Sequence, residues 1–190
     1  MSDSEPSDEQ QVAPSAVVLD YLPHGRTDDD RPQHQKQPLV YALDTSDFQL
    51  FEVVFSETPG INIGDAVDVH RDDAERVSAV EFEDLPGGAQ SELEYAVEEI
   101  VDGDELRFVD FYNDAQPITL RLHQLNLLPG IGKKLRNAIL DERKRKPFET
   151  FEDIETRVNG LHDPEGVLVE RILEEIRQDD LKYRTFARTE

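Results

Sequence analysis

The stretch Leu127-Leu128-Pro129-Gly130-Ile131-Gly132-Lys133-Lys134 leaves its backbone few choices. Pro129 fixes one φ and removes a donor, and the two glycines supply conformations that other residues avoid, so the chain must turn tightly here. Apolar residues recur at Ile118, Leu122, Leu125 and Leu128 before the turn and at Leu135, Ala138 and Ile139 after it, spacings that predict a helix on each side. The second helix is expected to run from Lys133 to Lys146 and to stop at Pro147.

Charge singles out the same place. Between residues 133 and 146 the cations Lys133, Lys134, Arg136, Arg143, Lys144, Arg145 and Lys146 face only Asp141 and Glu142, a segment of +5 in a chain of net charge -23. A helix start offers unpaired N–H groups and a positive dipole end, and glycines admit a phosphate close to that backbone. The turn therefore reads as the hairpin of a helix-hairpin-helix. Gly130, Ile131 and Gly132 would present N–H groups, while Lys133, Lys134, Arg136, Arg143 and Lys144 would add charge. Ile131 would also plug the space between the helices. Such a grip holds backbone phosphate and reads little sequence.

Forty-three acidic residues stand against twenty basic ones, only six of them Lys, which resembles a surface adapted to concentrated salt, the alternative being an acidic protein that mimics nucleic acid or chaperones basic proteins. At 1 M salt the screening length is about 3 Å, so the overall charge would repel a nucleic acid only weakly. Lysines alone would also grip weakly there, because affinity falls as counterion release loses its value. Backbone N–H groups and stacking must then carry more of the contact.

The absence of cysteine excludes disulfides, thiolate zinc sites and cysteine nucleophiles. No apolar run approaches the roughly 20 residues of a membrane span, and the acidic N-terminus is unlike a signal peptide, so a cytoplasmic protein is expected.

Residues 1–15 read as a disordered acidic tail. Strands are predicted at 16–21, 39–43, 48–55, 64–70 and 76–82, with residues 26–37 a mobile loop, and five short strands suggest a small OB-like barrel. A helix follows at 91–101, with Ser91 and Glu94 as a capping box and Leu93, Ala96, Val97 and Ile100 on one face. Residues 106–112 fit either a further helix or a last strand, and helix is the preferred reading. The boundary to the second domain is expected at 113–117, giving an α+β chain with domains 16–115 and 116–190. Thr150 to Ile154 opens another helix and 167–176 forms the last. Asn159-Gly160-Leu161-His162 stands where a second hairpin would turn, followed by Asp163, Pro164 and Glu165, acid that should repel phosphate. The all-α half therefore reads as a tandem helix-hairpin-helix with a degenerate second copy.

The combination of Leu19-Asp20-Tyr21-Leu22-Pro23-His24-Gly25, Phe111-Tyr112-Asn113 and residues 117–125 running into Leu128-Pro129-Gly130-Ile131-Gly132-Lys133-Lys134 resembles the archaeal DUF655 family over nearly the whole chain after residue 15. That resemblance implies an OB-like N-terminal barrel and a C-terminal helix-hairpin-helix unit in a nucleic-acid-binding protein, with RNA preferred over DNA because such genes often lie beside translation and RNA polymerase genes. Ribosomal or transcription machinery is the implied setting, and a protein scaffold in that setting is the alternative. The family tends to be basic where this chain reads Glu75-Arg76-Val77-Ser78-Ala79-Val80-Glu81, which weakens the case for a binding face on the barrel.

Bland readings compete with sharp ones. Tyr41, Phe48 and Phe51 could stack bases, although strand aromatics are more often core. His123 could bond phosphate or a backbone carbonyl at the hairpin, and a capped structural histidine is the preferred reading. Asp68, His70, Asp72 and Asp73 superficially resemble metal ligands, a cluster that a chain so rich in acid produces readily. No base or nucleophile pair and no nucleotide-binding glycine motif is present, so a non-catalytic protein without cofactor or metal is expected.

Overall fold

In the computed structural model, which describes residues 15–188, every residue of strand β2 (Leu39–Asp44) is buried. Its period of two explains why: Leu39, Tyr41 and Leu43 join one apolar cluster, while Val40 and Ala42 join another on the opposite face. β1 (Ser15–Leu22) and β3 (Leu50–Phe55) pair with it antiparallel. β4 (Ala66–Asp68) adds to β1 and β5 (Ala74–Val80) to β3, giving the order β4-β1-β2-β3-β5. Register shifts at Val18/Asp20 and Val54/Phe55 each insert an extra residue, and bulges of this kind increase twist. The sheet curls around Ala16, Val18, Val40, Ala42, Val53, Phe55, Val67 and Val69.

All five expected strands form, but β4 and β5 remain edges with no ladder between them, so the sheet is a half-barrel rather than a closed barrel. Ser15 already opens β1, and the rest of the acidic tail lies outside the described residues. The loop at 26–37 is anchored at its start, where the Arg26 guanidinium is paired with Glu52. Tyr41 and Phe48 are interior and cannot serve as stacking platforms, whereas Phe51 is half-buried.

Helix α1 (Gly87–Gly103) starts four residues before the expected Ser91, with Pro86 at its cap. Ser91 lies inside the helix and its hydroxyl donates to the Gly87 carbonyl, so the expected capping box is absent. Leu93, Ala96, Val97 and Ile100 are buried as expected, where α1 packs on β1 and on the last helix, Pro164–Arg177. α2 (Glu105–Asp114) confirms the helix expected at 106–112.

The helix expected from Pro117 to Leu128 does not form. Pro117 and His123 make an isolated bridge, and a single 3-10 turn follows at Gln124–Leu127. Side chains close local turns in place of helical bonds: Thr119 Oγ1 accepts from the Arg121 and Leu122 amides, and His123 Nδ1 from the Leu125 amide. Beyond the Pro-Gly turn come α3 (Lys133–Arg145), α4 (Phe151–Arg157) and α5 (Pro164–Arg177).

One apolar cluster runs from Leu19, Tyr41 and Leu43 through α1 and α2 into Ile139, Ile154 and Leu168. Polar staples reinforce it. The Tyr112 hydroxyl donates to the Pro164 carbonyl at 2.6 Å, and the Asn113 amide both donates to and accepts from the Phe148 backbone.

Candidate nucleic-acid interface

Leu128, Pro129, Gly130 and Ile131 form a β-turn closed by the Ile131 amide on the Leu128 carbonyl at 3.2 Å. Proline second and a glycine at φ +77° third is the arrangement of a type II turn, so residue 130 is held to glycine by its backbone. The Ile131 amide is thus engaged within the turn, and its side chain is buried, as expected of a plug. Asn126 locks the hairpin: its amide donates to the Ile131 carbonyl, and its Oδ1 accepts from the Arg136 guanidinium and the His123 amide.

Gly132 caps α3 without a side chain to fill the cap. The first helical bond runs from the Arg136 amide to the Gly132 carbonyl. The N–H groups of Gly132, Lys133, Lys134 and Leu135 therefore find no partner among the described residues. Gly132, Lys133 and Lys134 are exposed, and no atom lies within 4 Å of the position a β-carbon on Gly132 would take.

Lys133 and Arg136 line an open hollow of about 430 Å³ together with Arg121, Leu120, Leu122 and Asn126. No carboxylate lines it. Arg121 and Asn126 were not singled out by the sequence patterns; Arg121 could have been found only by knowing that its loop folds back onto α3.

The remaining basic residues go elsewhere. Arg143 donates to the Tyr112 and Ala115 carbonyls, capping the C-terminus of α2, which removes it from the phosphate-binding set. Lys144 lies about 17 Å along the helix from Lys133, at a rise of 1.5 Å per residue. Arg145 and Lys146 at that far end pair with Glu142 and Glu149. The structure thus brings Gly130 to Lys134 and Arg136 together and leaves Arg143 and Lys144 apart.

His123 is a cap, as expected. Burial, then the nearby Arg143 and Arg136, hold its pKa below the ordinary histidine value. Its stabilising contribution is present above about pH 6.5, the ordinary value, and is lost as pH falls through the lowered one, when Nδ1 gains a proton and can no longer accept. An NMR titration is expected to place the His123 midpoint below 6.5, with the Leu125 amide shifting over the same range.

Around the turn before α5 the electrostatics reverse. Asp163 caps α5 and accepts from the Gly166 amide at 3.0 Å. Glu98, Glu99, Asp102, Asp163 and Glu165 line one hollow there. Burial first, then Asp102, Asp163, Glu105 and Glu98, raise the pKa of Glu165. On the sheet, buried Glu52 collects Arg26, Arg76 and the Tyr41 hydroxyl, so the cations of that face are engaged internally. Asp73 pairs with Arg71, and Asp68 accepts from the His70 amide.

A family model described as "Protein of unknown function (DUF655)" matches residues 12–188. The uncharacterized protein MJ0038 of Methanocaldococcus jannaschii is 37% identical over 178 residues, which cover 91% of this chain and 79% of that protein. The crystal structure of Af1531 from Archaeoglobus fulgidus aligns with a TM-score of 0.82 at 41% identity, covering 92% of this chain and 99% of that one.

Proposed function

The chain belongs to the DUF655 family, and we propose that it is a non-catalytic RNA-binding protein that grips backbone phosphate at the Pro129–Lys134 hairpin. The observation that carries this reading is the open cap of α3: four amides without partners among the described residues, beside Lys133, Lys134, Arg136 and Arg121, in a chain of net charge -23. In this reading the 3-10 turn and α3 are the first helix-hairpin-helix, with its leading helix reduced to one turn, and α4 and α5 are the second. The second hairpin keeps the fold while its acids turn phosphate away. The half-barrel, OB-like in its meander of β1, β2 and β3, orients the hairpin.

The grip suits a salt-adapted protein, since hydrogen bonds from fixed amides survive screening that weakens lysines. Binding of structured RNA and of duplex DNA in molar KCl tests the reading. The Lys133→Glu/Lys134→Glu variant is expected to bind about tenfold more weakly at 1 M and weaker still at 0.1 M, where the screening length grows from about 3 Å to about 10 Å. Equal affinity of variant and wild type would sink the site.

The competing reading is a scaffold for a protein of the ribosome or polymerase. It draws on a groove of about 740 Å³ beside α1 and β4, where Ile63 and Tyr95 are more than half exposed. It predicts a protein complex that survives nuclease treatment.

A further inference from the structure

Leu120 is the most exposed large apolar side chain among the described residues, at 106% of its reference area. A rigid loop holds it there. The Leu122 carbonyl accepts from the Ile118 amide at 2.7 Å and the Thr119 amide at 3.0 Å, and Thr119 Oγ1 accepts from the Arg121 and Leu122 amides. At the base of the loop, the Gln124 amide donates to the Gln116 carbonyl and the Gln116 amide to the Gln124 side chain. These bonds, all within residues 116–124, fix where the leucine stands.

Leu120 also lies at the rim of the hollow beside α3 that Arg121, Lys133 and Arg136 line. The hollow's volume of about 430 Å³ falls within the roughly 300–1,000 Å³ typical of small-ligand sites. Asn126 Oδ1 anchors the Arg136 guanidinium at 3.1 Å, giving that planar group a fixed orientation. A site with an apolar rim, an oriented guanidinium and further cations matches an unstacked nucleotide, whose base presents an apolar face and whose flanking phosphates are anionic. Continuous duplex offers no such base. Exposed leucines act as wedges at unstacked steps in proteins that bend nucleic acids, and an apolar contact is not screened by salt.

We propose that the loop at 117–123 makes this protein selective for interrupted RNA helices: Leu120 packs against an unpaired base that enters the hollow beside Arg136. The proposal rests on the reading of the hairpin as a phosphate grip, and it names the RNA feature lying next to the gripped phosphate.

Two RNA hairpins test it in molar KCl, one with a continuous stem and one with a single bulged 2-aminopurine, each bound to wild type, Leu120→Ser and Lys133→Glu/Lys134→Glu. Wild type is expected to prefer the bulged RNA by about tenfold, the scale of burying one leucine side chain, and to change the 2-aminopurine fluorescence on binding. Leu120→Ser is expected to lose both effects while keeping wild-type affinity for the continuous stem and an unchanged Tm. The lysine variant is expected to weaken on both RNAs and keep the preference. No preference in wild type, or a preference that survives in Leu120→Ser, overturns the wedge and leaves the hairpin reading standing. Unchanged affinity of the lysine variant on both RNAs overturns the hairpin reading, and absence of binding to either RNA overturns both.

Discussion

Replacing Glu175 by alanine is expected to destabilise the fold by about 3–5 kcal/mol, the scale of breaking a buried ion pair from one side. Glu175 has no exposed surface. Its carboxylate accepts from Arg171 Nε at 3.1 Å and from the amides of Thr185, Phe186 and Ala187 at 2.8–2.9 Å. Those amides belong to a C-terminal strap that lays Phe186 against Phe111 at 4.9 Å between ring centroids. The strap reaches the β2–β3 turn, where the Arg188 amide donates to the Asp47 carbonyl. Arg171, also buried, donates further to Glu174 and to the Tyr183 carbonyl.

Truncation at Glu175 would therefore leave a buried guanidinium and three amides short of acceptors and release the strap from the core. Thermal unfolding is expected to show a Tm lower by on the order of 10 °C, at about 2–4 °C per kcal/mol for a chain of this length. Pairing the change with Arg171→Leu, with Glu175→Leu as partner, separates the contributions. Replacing a buried pair by apolar residues removes the unpaired charge, so the double variant is expected to be more stable than Glu175→Leu alone. What it does not recover is the contribution of the strap amides.

The parts of this structure that were legible in the sequence are those set by local pattern. The apolar run at 39–43 marked a strand and the spacing of Leu93, Ala96, Val97 and Ile100 a buried helix face, both as found, and Pro129-Gly130 marked a turn that the positive φ of Gly130 confirms. The failures arise where distant residues decide. The helix expected from Ser91 opens at Gly87, behind Pro86, and a β-carbon on Gly88 would stand 2.9 Å from the Asp20 carboxylate. The apolar spacing from Ile118 to Leu128 fits a helix, but Thr119, His123 and Asn126 bond the local backbone instead.

Cations were the hardest to assign. Arg143 and Lys133 look equivalent along the chain, and only the fold shows that one caps α2 while the other faces an open hollow. Arg157 likewise crosses to the end of α3, donating to the Glu142 and Lys146 carbonyls with its guanidinium over Phe148. The residues that carry the family resemblance at Phe111-Tyr112-Asn113 turn out to be staples of the core, through the Phe186 ring, the Pro164 carbonyl and the Phe148 backbone.

Gly132→Asp is expected to move stability and binding in opposite directions. Gly132 has φ -89° and ψ -166°, extended backbone open to any residue, and nothing crowds its β-carbon position. An aspartate there can accept from the free amides at the start of α3 and interact favourably with the helix dipole, a gain of about 0.3–1 kcal/mol. Asp163 already does this at the cap of α5, where it holds the Gly166 amide. The substitution would give the first hairpin the acidic cap of the second, filling with a carboxylate the donors assigned to phosphate. Affinity for structured RNA in molar KCl is expected to fall about 10- to 100-fold, the equivalent of one or two charge-assisted hydrogen bonds, while Tm holds or rises slightly. Lys144→Gln is the contrasting change, distant from the hairpin and screened by salt, and is expected to leave molar-salt affinity almost unaltered. Gly130→Ala is the opposite control: at φ +77° it costs about 1–2 kcal/mol of backbone strain, so it lowers Tm and affinity together. A Gly132→Asp protein that bound RNA as wild type does would place the phosphate contact somewhere other than the amides of α3.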